Sequence, residues 1–194
     1  MFLFSLALDL FSAGLILIPA YLLLDRFYLR SLNKAAACCI FSFYLVAVYH
    51  LVGMPCVTYI NPGVNLNLIP FADMLESPRN TLLNVALFLP LGVLLPLIWE
   101  QFRTAKSTVL FGFGMSLAIE LLQILTLRAT DVNDLITNTL GAFLGFLLAK
   151  PVMDKFPAAP AKPGEPYAVC AGVFLIMFFL EPFIFTFFWN LILH

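Results

Sequence analysis

Charge is what this chain has least of. Only 11% of its 194 residues are Asp, Glu, Lys or Arg, whereas a typical soluble domain carries about 25%. Hydrophobic residues make up 62%, and Phe alone supplies 21. A soluble fold of this size cannot hide so much apolar surface, because surface is still a large fraction of a small domain. The soluble globular class is therefore excluded, and lipid must be the solvent for most of the chain. The net charge of -1 carries no message about nucleic acid, so no nucleic-acid partner is expected. None of the four cysteines has the spacing of a zinc site. Cys38, Cys39 and Cys170 lie near one set of span ends and Cys56 near the other, which leaves Cys56 without an obvious partner and argues against a structural disulfide. No internal repeat is visible, which counts against a transporter built from inverted halves.

What is present in abundance is apolar length. Six segments reach the roughly 20 residues that a crossing needs. They are Phe2–Leu24, Ala35–Met54, Thr81–Trp99, Ser107–Leu127, Val132–Ala149 and Tyr167–Leu193. The expected fold class is all-α, a polytopic membrane protein of about six helices. The first segment lacks the basic start of a cleavable signal peptide, carries Asp9, and has its positive residues after the apolar run. Arg26, Arg30 and Lys34 follow the first span, Arg103 and Lys106 the third, and Lys150, Lys155 and Lys162 the fifth. Arg79 and Arg128 fall in the alternate connections. That asymmetry places the larger set in the cytoplasm and both termini outside.

A single membrane domain over residues 1–194 is expected, with N-terminal helices in 1–54. A proline-rich cytoplasmic loop and the last helix occupy 157–194. The loop itself, Pro157–Pro166, is kept non-helical by its Pro and Gly. Tyr59–Asn80 is the longest outer connection and mixes turn residues with Leu66, Leu68, Ile69 and Phe71. Irregular backbone at membrane depth must be buried in protein or line a wet cavity. This connection is therefore expected to be a re-entrant or interfacial segment packed over the helices.

Against this apolar background, Ser116–Gly145 holds Glu120, Gln123, Arg128, Asp131, Asp134 and Asn138. Ionisable groups cost at least about 2.5–3.5 kcal/mol each at the bilayer centre, so the cluster needs a compensating use. Ser116, Glu120 and Gln123 step by four and three and share a helix face. Asp131, Asp134, Asn138, Gly141 and Gly145 do the same on the next helix, which a short turn around Arg128 should make antiparallel. Asn84, Phe88 and Gly92 share a face of the third span, with Asn80 one turn earlier. Glu120 and Asn138 lie roughly 10 Å below the outer ends at 1.5 Å per residue. These positions predict a polar pocket open to the outside, floored by apolar residues and roofed by Asn65–Phe71.

The run Asn67, Pro70, Phe71, then Asn84, Phe88, Pro90, Gly92, then Ser116, Glu120, Gln123, then Arg128, Asp131, Asp134, Asn138 and Gly141 resembles the VanZ-like membrane protein family. The resemblance covers about residues 55–150 and leaves the first and last spans outside. It implies a bacterial envelope protein in the cytoplasmic membrane and a connection to glycopeptide resistance, teicoplanin in particular. It supplies no reaction.

Each residue also has a plainer reading. Gly141 and Gly145 form a pattern that lets helices approach closely. Pro90 and Gly92 suit a kink. Asn84 and Asn138 suit interhelical hydrogen bonds, and Ser116 suits a helix contact, since no histidine is spaced to serve as its base. Asp131 suits an N-cap with Asp134 at the third helical position. Glu120, Arg128 and Asp131 would form a network that locks two helices together.

Two functional readings stand beside these. In one, the protein is an enzyme acting on a lipid-linked envelope substrate. Glu120, Asp134 and Asp131 are the candidate catalytic acids or bases. Arg128 would hold an anionic group through its guanidinium fork. The three carboxylates would alternatively hold a divalent cation such as magnesium. In the other reading, the same pocket binds an envelope lipid, a glycopeptide ligand or a partner protein without chemistry. Arg128, Gln123, Asn138, Asn84, Asn67 and Phe71 are the candidate ligand-binding residues in either case, and membrane lipids are the expected surroundings. A proton- or ion-coupled transporter comes third. It gains weight if Asp9 and Glu181, which stand outside the motif, line up with the cluster, while His50, near the outer end of the second span, suits an interfacial hydrogen bond.

Overall fold

A computed structural model describes residues 2–29, 31–63, 65–67, 69, 78–126, 129–155, 158, 160 and 162–193. Six of its helical segments are long and apolar enough to cross a membrane: Leu3–Leu29, Leu32–Val52, Pro78–Ile98, Ala105–Thr126, Val132–Lys155 and Glu165–Ile192. The protein is an all-α, multi-pass membrane protein. Leucines such as Leu82, Leu110, Leu121 and Leu148 are exposed along the spans, as expected where lipid tails replace water. The chain divides into two compact units, residues 1–60 with 163–194 and residues 61–162.

The first unit contains α1 (Phe2–Leu24), α2 (Leu32–Val52), α6 (Glu165–Leu175) and α7 (Glu181–Leu193). A π-turn, Asp25–Leu29, ends α1, and Asp25 Oδ1 accepts the Ser31 N–H at 2.8 Å to lead the chain into α2. Gly53 stops α2 in the left-handed region (φ 62°), where a residue without Cβ is unstrained. Tyr21 and Ser42 join α1 to α2 through their hydroxyls at 2.7 Å. Lys34 pairs with Glu165 at 2.8 Å, largely shielded from solvent. A second π-turn, Ile176–Leu180, separates α6 from α7. Its cause is in the sequence: Pro182 has no N–H to give the carbonyl of Phe178 four residues earlier. The Val57 N–H, from the connection after α2, donates to that carbonyl instead at 2.9 Å.

The second unit contains α3 (Pro78–Ile98), α4 (Ala105–Gln123) and α5 (Val132–Ala149). The pairing of α3 with α5 is set by three glycines. A Cβ on Gly92 would lie 2.0 Å from the Ala142 carbonyl oxygen. One on Gly141 would lie 2.4 Å from the Val85 carbonyl oxygen, and one on Gly145 would lie 2.1 Å from that of Leu89. The backbones therefore touch, as small residues allow where no water-driven hydrophobic effect holds helices together. Gly92 is a contact glycine rather than only a place to bend. The numbering of both helices rises together along this contact, so α3 and α5 are parallel. Gly112 of α4 meets Ala142, and α4 runs antiparallel to both. Trp99, Phe102 and Phe111 fill one end of the unit, with Phe102 and Phe111 ring centroids 4.9 Å apart. Phe146, Ala149 and Met153 form an apolar cluster with Val93, Leu97 and Ala105.

The link from α4 to α5 is more than the short turn expected around Arg128. It is a 3-10 turn, Ile124–Thr126, followed by a strand, β2 (Ala129–Asp131). β2 pairs in parallel with β1 (Asn65–Asn67), with Asn65, Leu66 and Asn67 opposite Ala129, Thr130 and Asp131. Just before β1, the N–H groups of Asn61 and Gly63 donate to the carbonyls of Leu125 and Ile124 at 2.8 and 3.0 Å. A helix end leaves its last carbonyls without intrahelical partners. The extended connection supplies donors for the backbone just beyond α4 and so lies against it. This satisfies irregular backbone internally, as lipid surroundings require. Residues 70–77, the rest of the expected covering segment, lie outside the described residues.

Candidate functional site

The polar cluster of the second unit forms where α4 ends, α5 begins and β1 runs alongside. Ser116, Glu120 and Gln123 share one face of α4, and all three are buried. Glu120 is 4% exposed, and its Oε2 accepts the Asp131 backbone N–H at 2.9 Å. Its own carbonyl accepts the Thr130 hydroxyl at 3.1 Å. One residue of α4 thus holds β2 through both side chain and backbone.

Asp131 is the N-cap of α5. Its Oδ1 accepts the Asn133 N–H at 2.8 Å, and its Oδ2 accepts Asn67 Nδ2 at 3.1 Å. In a capping box, the third helical residue reaches back to the N-cap N–H. Here Glu120, from another helix, takes that N–H. Asp134 occupies the third helical position and turns to α3 instead, where its Oδ1 accepts Asn84 Nδ2 at 2.6 Å. Asn67 and Asn84 thus each hand an amide donor to a carboxylate on the β2–α5 segment. Ordinary net values for a hydrogen bond to a charged group are about 1.5–3 kcal/mol.

One turn deeper, Asn138 Nδ2 donates to Ser116 Oγ at 3.0 Å, joining α5 to α4. That contact is the helix-to-helix role the sequence suggested for both. The other half of the amide differs: Asn138 Oδ1 is buried and has no hydrogen-bond donor among the described residues. Gln123 is buried at the α4 terminus, and Thr126 Oγ1 donates to its carbonyl at 3.0 Å. Asn80 is exposed, one turn outside the cluster.

The structure therefore brings together Glu120, Asp131, Asp134, Asn67, Asn84 and Asn138. Arg128 and Phe71 lie outside the described residues. Among the described residues, no three His, Cys, Asp or Glu side chains are grouped as a metal site. Among the described residues, Glu120 Oε2 is engaged by the Asp131 backbone N–H and Asp134 Oδ1 by the Asn84 amide. The sequence reading passed over Asn133, which is buried off the acidic stripe and whose Nδ2 reaches the Ile69 carbonyl at 3.3 Å. It also passed over Thr130 and Thr137. The Thr137 hydroxyl returns to its own helix, at the Asn133 carbonyl, 2.9 Å away. The one available signal was the local density of Thr and Asn around Asp131.

Asp9, His50 and Glu181 belong to the first unit. His50 Nδ1 contacts Asp9 Oδ2, and the Glu181 carboxyl is an electrostatic neighbour of that of Asp9. They line up with one another.

Comparison with known proteins places this arrangement. The VanZ/LLP1 family model matches residues 41–153, more than half of the chain. That range begins within α2, earlier than the resemblance read from the motifs, and includes every residue of the second unit's cluster. Protein VanZ of Enterococcus faecium is 38% identical over 85 residues, which cover 43% of this chain and 52% of that protein. The chain thus matches about half the length of this curated relative. No solved structure matches it. The chain belongs to the VanZ/LLP1 family.

Proposed function

We propose that the protein recognises the polar head of a cell-envelope lipid or glycopeptide in an outward-facing site at the α4–β2–α5 junction. The observation that carries this reading is the concentration of fixed acceptors there. Glu120, Asp131 and Asp134 are held by backbone and amide donors from separate elements, and the buried Asn138 oxygen has no donor among the described residues. Prealigned acceptors suit a ligand rich in hydroxyl and amide N–H groups, as sugar and peptide heads are. Arg128, between α4 and β2 in sequence, supplies the cation for a phosphate or carboxylate on the same head. Exposed Leu and Phe along the spans accept an acyl chain. Binding, rather than chemistry, is favoured because Asp131 has both oxygens engaged in holding the fold. The name of the Enterococcus faecium relative joins this reading to glycopeptide resistance.

The test is to incubate purified protein with extracted outer-leaflet lipids and follow both bound species and lipid products by mass spectrometry. A discrete lipid that stays bound and keeps its mass is the expected result. A product of changed mass would replace recognition with catalysis, with Glu120 or Asp134 as acid or base. The outward orientation is tested in a cysteine-free background. An impermeant thiol reagent on intact cells should label Ser77→Cys and spare Lys155→Cys, and the reverse pattern would invert the topology.

A further inference from the structure

The first unit holds three titratable groups that the family motif does not use. Asp9 on α1 and Glu181 at the start of α7 are buried, at 8% and 7% exposed. His50, on the last turn of α2, touches Asp9 Oδ2 through Nδ1. The Asp9 and Glu181 carboxyls are electrostatic neighbours. Two ionised carboxylates offer only acceptors to such a contact. Glu181 Oε1 accordingly has no donor among the described residues. A single proton between the two carboxyls converts the contact into an O–H···O bond and halves the buried negative charge. His50 Nδ1, in contact with Asp9, offers a relay between this proton and the end of α2.

The surroundings were built by the sequence around this spot. Pro182 follows Glu181 directly, and the π-turn it imposes draws the backbone of Val57 against Phe178. π-turns recur at functional sites. The titratable neighbours on the packed elements are Tyr49, whose hydroxyl donates to the Pro55 carbonyl, and Cys56 in the connection after α2. Neither is a cation. His50 lies two residues from the end of α2, roughly 3 Å along the axis at 1.5 Å per residue. It is the member of the group nearest to water.

We propose that Asp9, His50 and Glu181 form an exchangeable proton-binding site in the first unit, with the proton shared by the two carboxyls and exchanged with solvent by way of His50. The full chain in lipid, examined by infrared spectroscopy at neutral pH, should show a protonated-carboxyl band. The band should shift when water is replaced by deuterium oxide. Both Asp9→Asn and Glu181→Gln should remove it. His50→Gln should keep the band and slow its deuterium shift at least several-fold. A folded wild-type protein with no protonated-carboxyl band would overturn the proposal without reference to any variant. A band left intact in whichever of the two carboxyl variants folds would overturn it as well.

Discussion

The two units keep buried carboxyl groups by different means. In residues 61–162, every acid of the cluster meets N–H donors: Glu120 meets the Asp131 backbone, Asp131 meets Asn133 and Asn67, and Asp134 meets Asn84. In the unit formed by residues 1–60 and 163–194, Glu165 meets Lys34, but Asp9 and Glu181 meet each other with His50 beside Asp9. A carboxylate met by N–H groups has its lone pairs satisfied without a proton. A carboxyl met by another carboxyl needs one. The first arrangement fixes geometry and suits recognition, whereas the second fixes a proton and suits exchange.

The largest effect should come from attacking the backbone contact that joins α3 to α5 in residues 61–162. Gly145→Leu drives a side chain into the Leu89 carbonyl and Gly92, and should cost more than the about 1–3 kcal/mol usual for overpacking. We expect no monodisperse protein by size-exclusion chromatography. Gly172→Leu in the first unit enters open space and should behave as wild type.

Next comes Glu120. Glu120→Ala strands the Asp131 N–H and should lower stability by about 1–3 kcal/mol. Glu120→Gln retains an acceptor oxygen and should lose less than half of that. Equal losses in thermal unfolding would mean that the charge, not the acceptor, holds β2 in place.

A third substitution turns one unit's device into the other's. Asn84→Asp replaces the amide donor to Asp134 with a second carboxyl. The folded variant then needs a proton that its unfolded chain does not hold at neutral pH. Its stability should therefore fall as pH rises, while at low pH it approaches wild type. Unfolding curves from about pH 5 to about pH 8, spanning most of the range where stability is usually greatest, are the check. A flat difference from wild type would show that the contact is not what neutralises Asp134. The smallest effect belongs to the cap. Asp131→Asn keeps the cap, since Asn caps as well as Asp, and loses only the acceptor for Asn67 Nδ2. Asp131→Ala loses that acceptor and about 1 kcal/mol of capping besides, a difference that thermal unfolding should show.

Much of this was legible in the residues. Apolar length alone marks six spans. The steps of three and four put Ser116, Glu120 and Gln123 on one buried face, and the spacing of Gly141 and Gly145 marks a helix contact. The β1–β2 pairing was not legible. Its strands are three residues each and lack an alternating pattern, and they form because the backbone beyond α4 needs partners away from water. Asn133 was missed because it lies one residue off the stripe. The meeting of Asp9, His50 and Glu181 was invisible for a different reason. Each stands alone in its own span, and only packing brings three spans together.

The central claim is that the second unit's fixed acceptors recognise an envelope ligand. Native mass spectrometry of wild-type and Glu120→Gln protein, purified from membranes at equal levels and both folded, tests it most directly. The account predicts a discrete envelope lipid or glycopeptide on the wild type, reduced at least tenfold on Glu120→Gln, a loss corresponding to about 1.4 kcal/mol. The same ligand at the same occupancy on both proteins would contradict it.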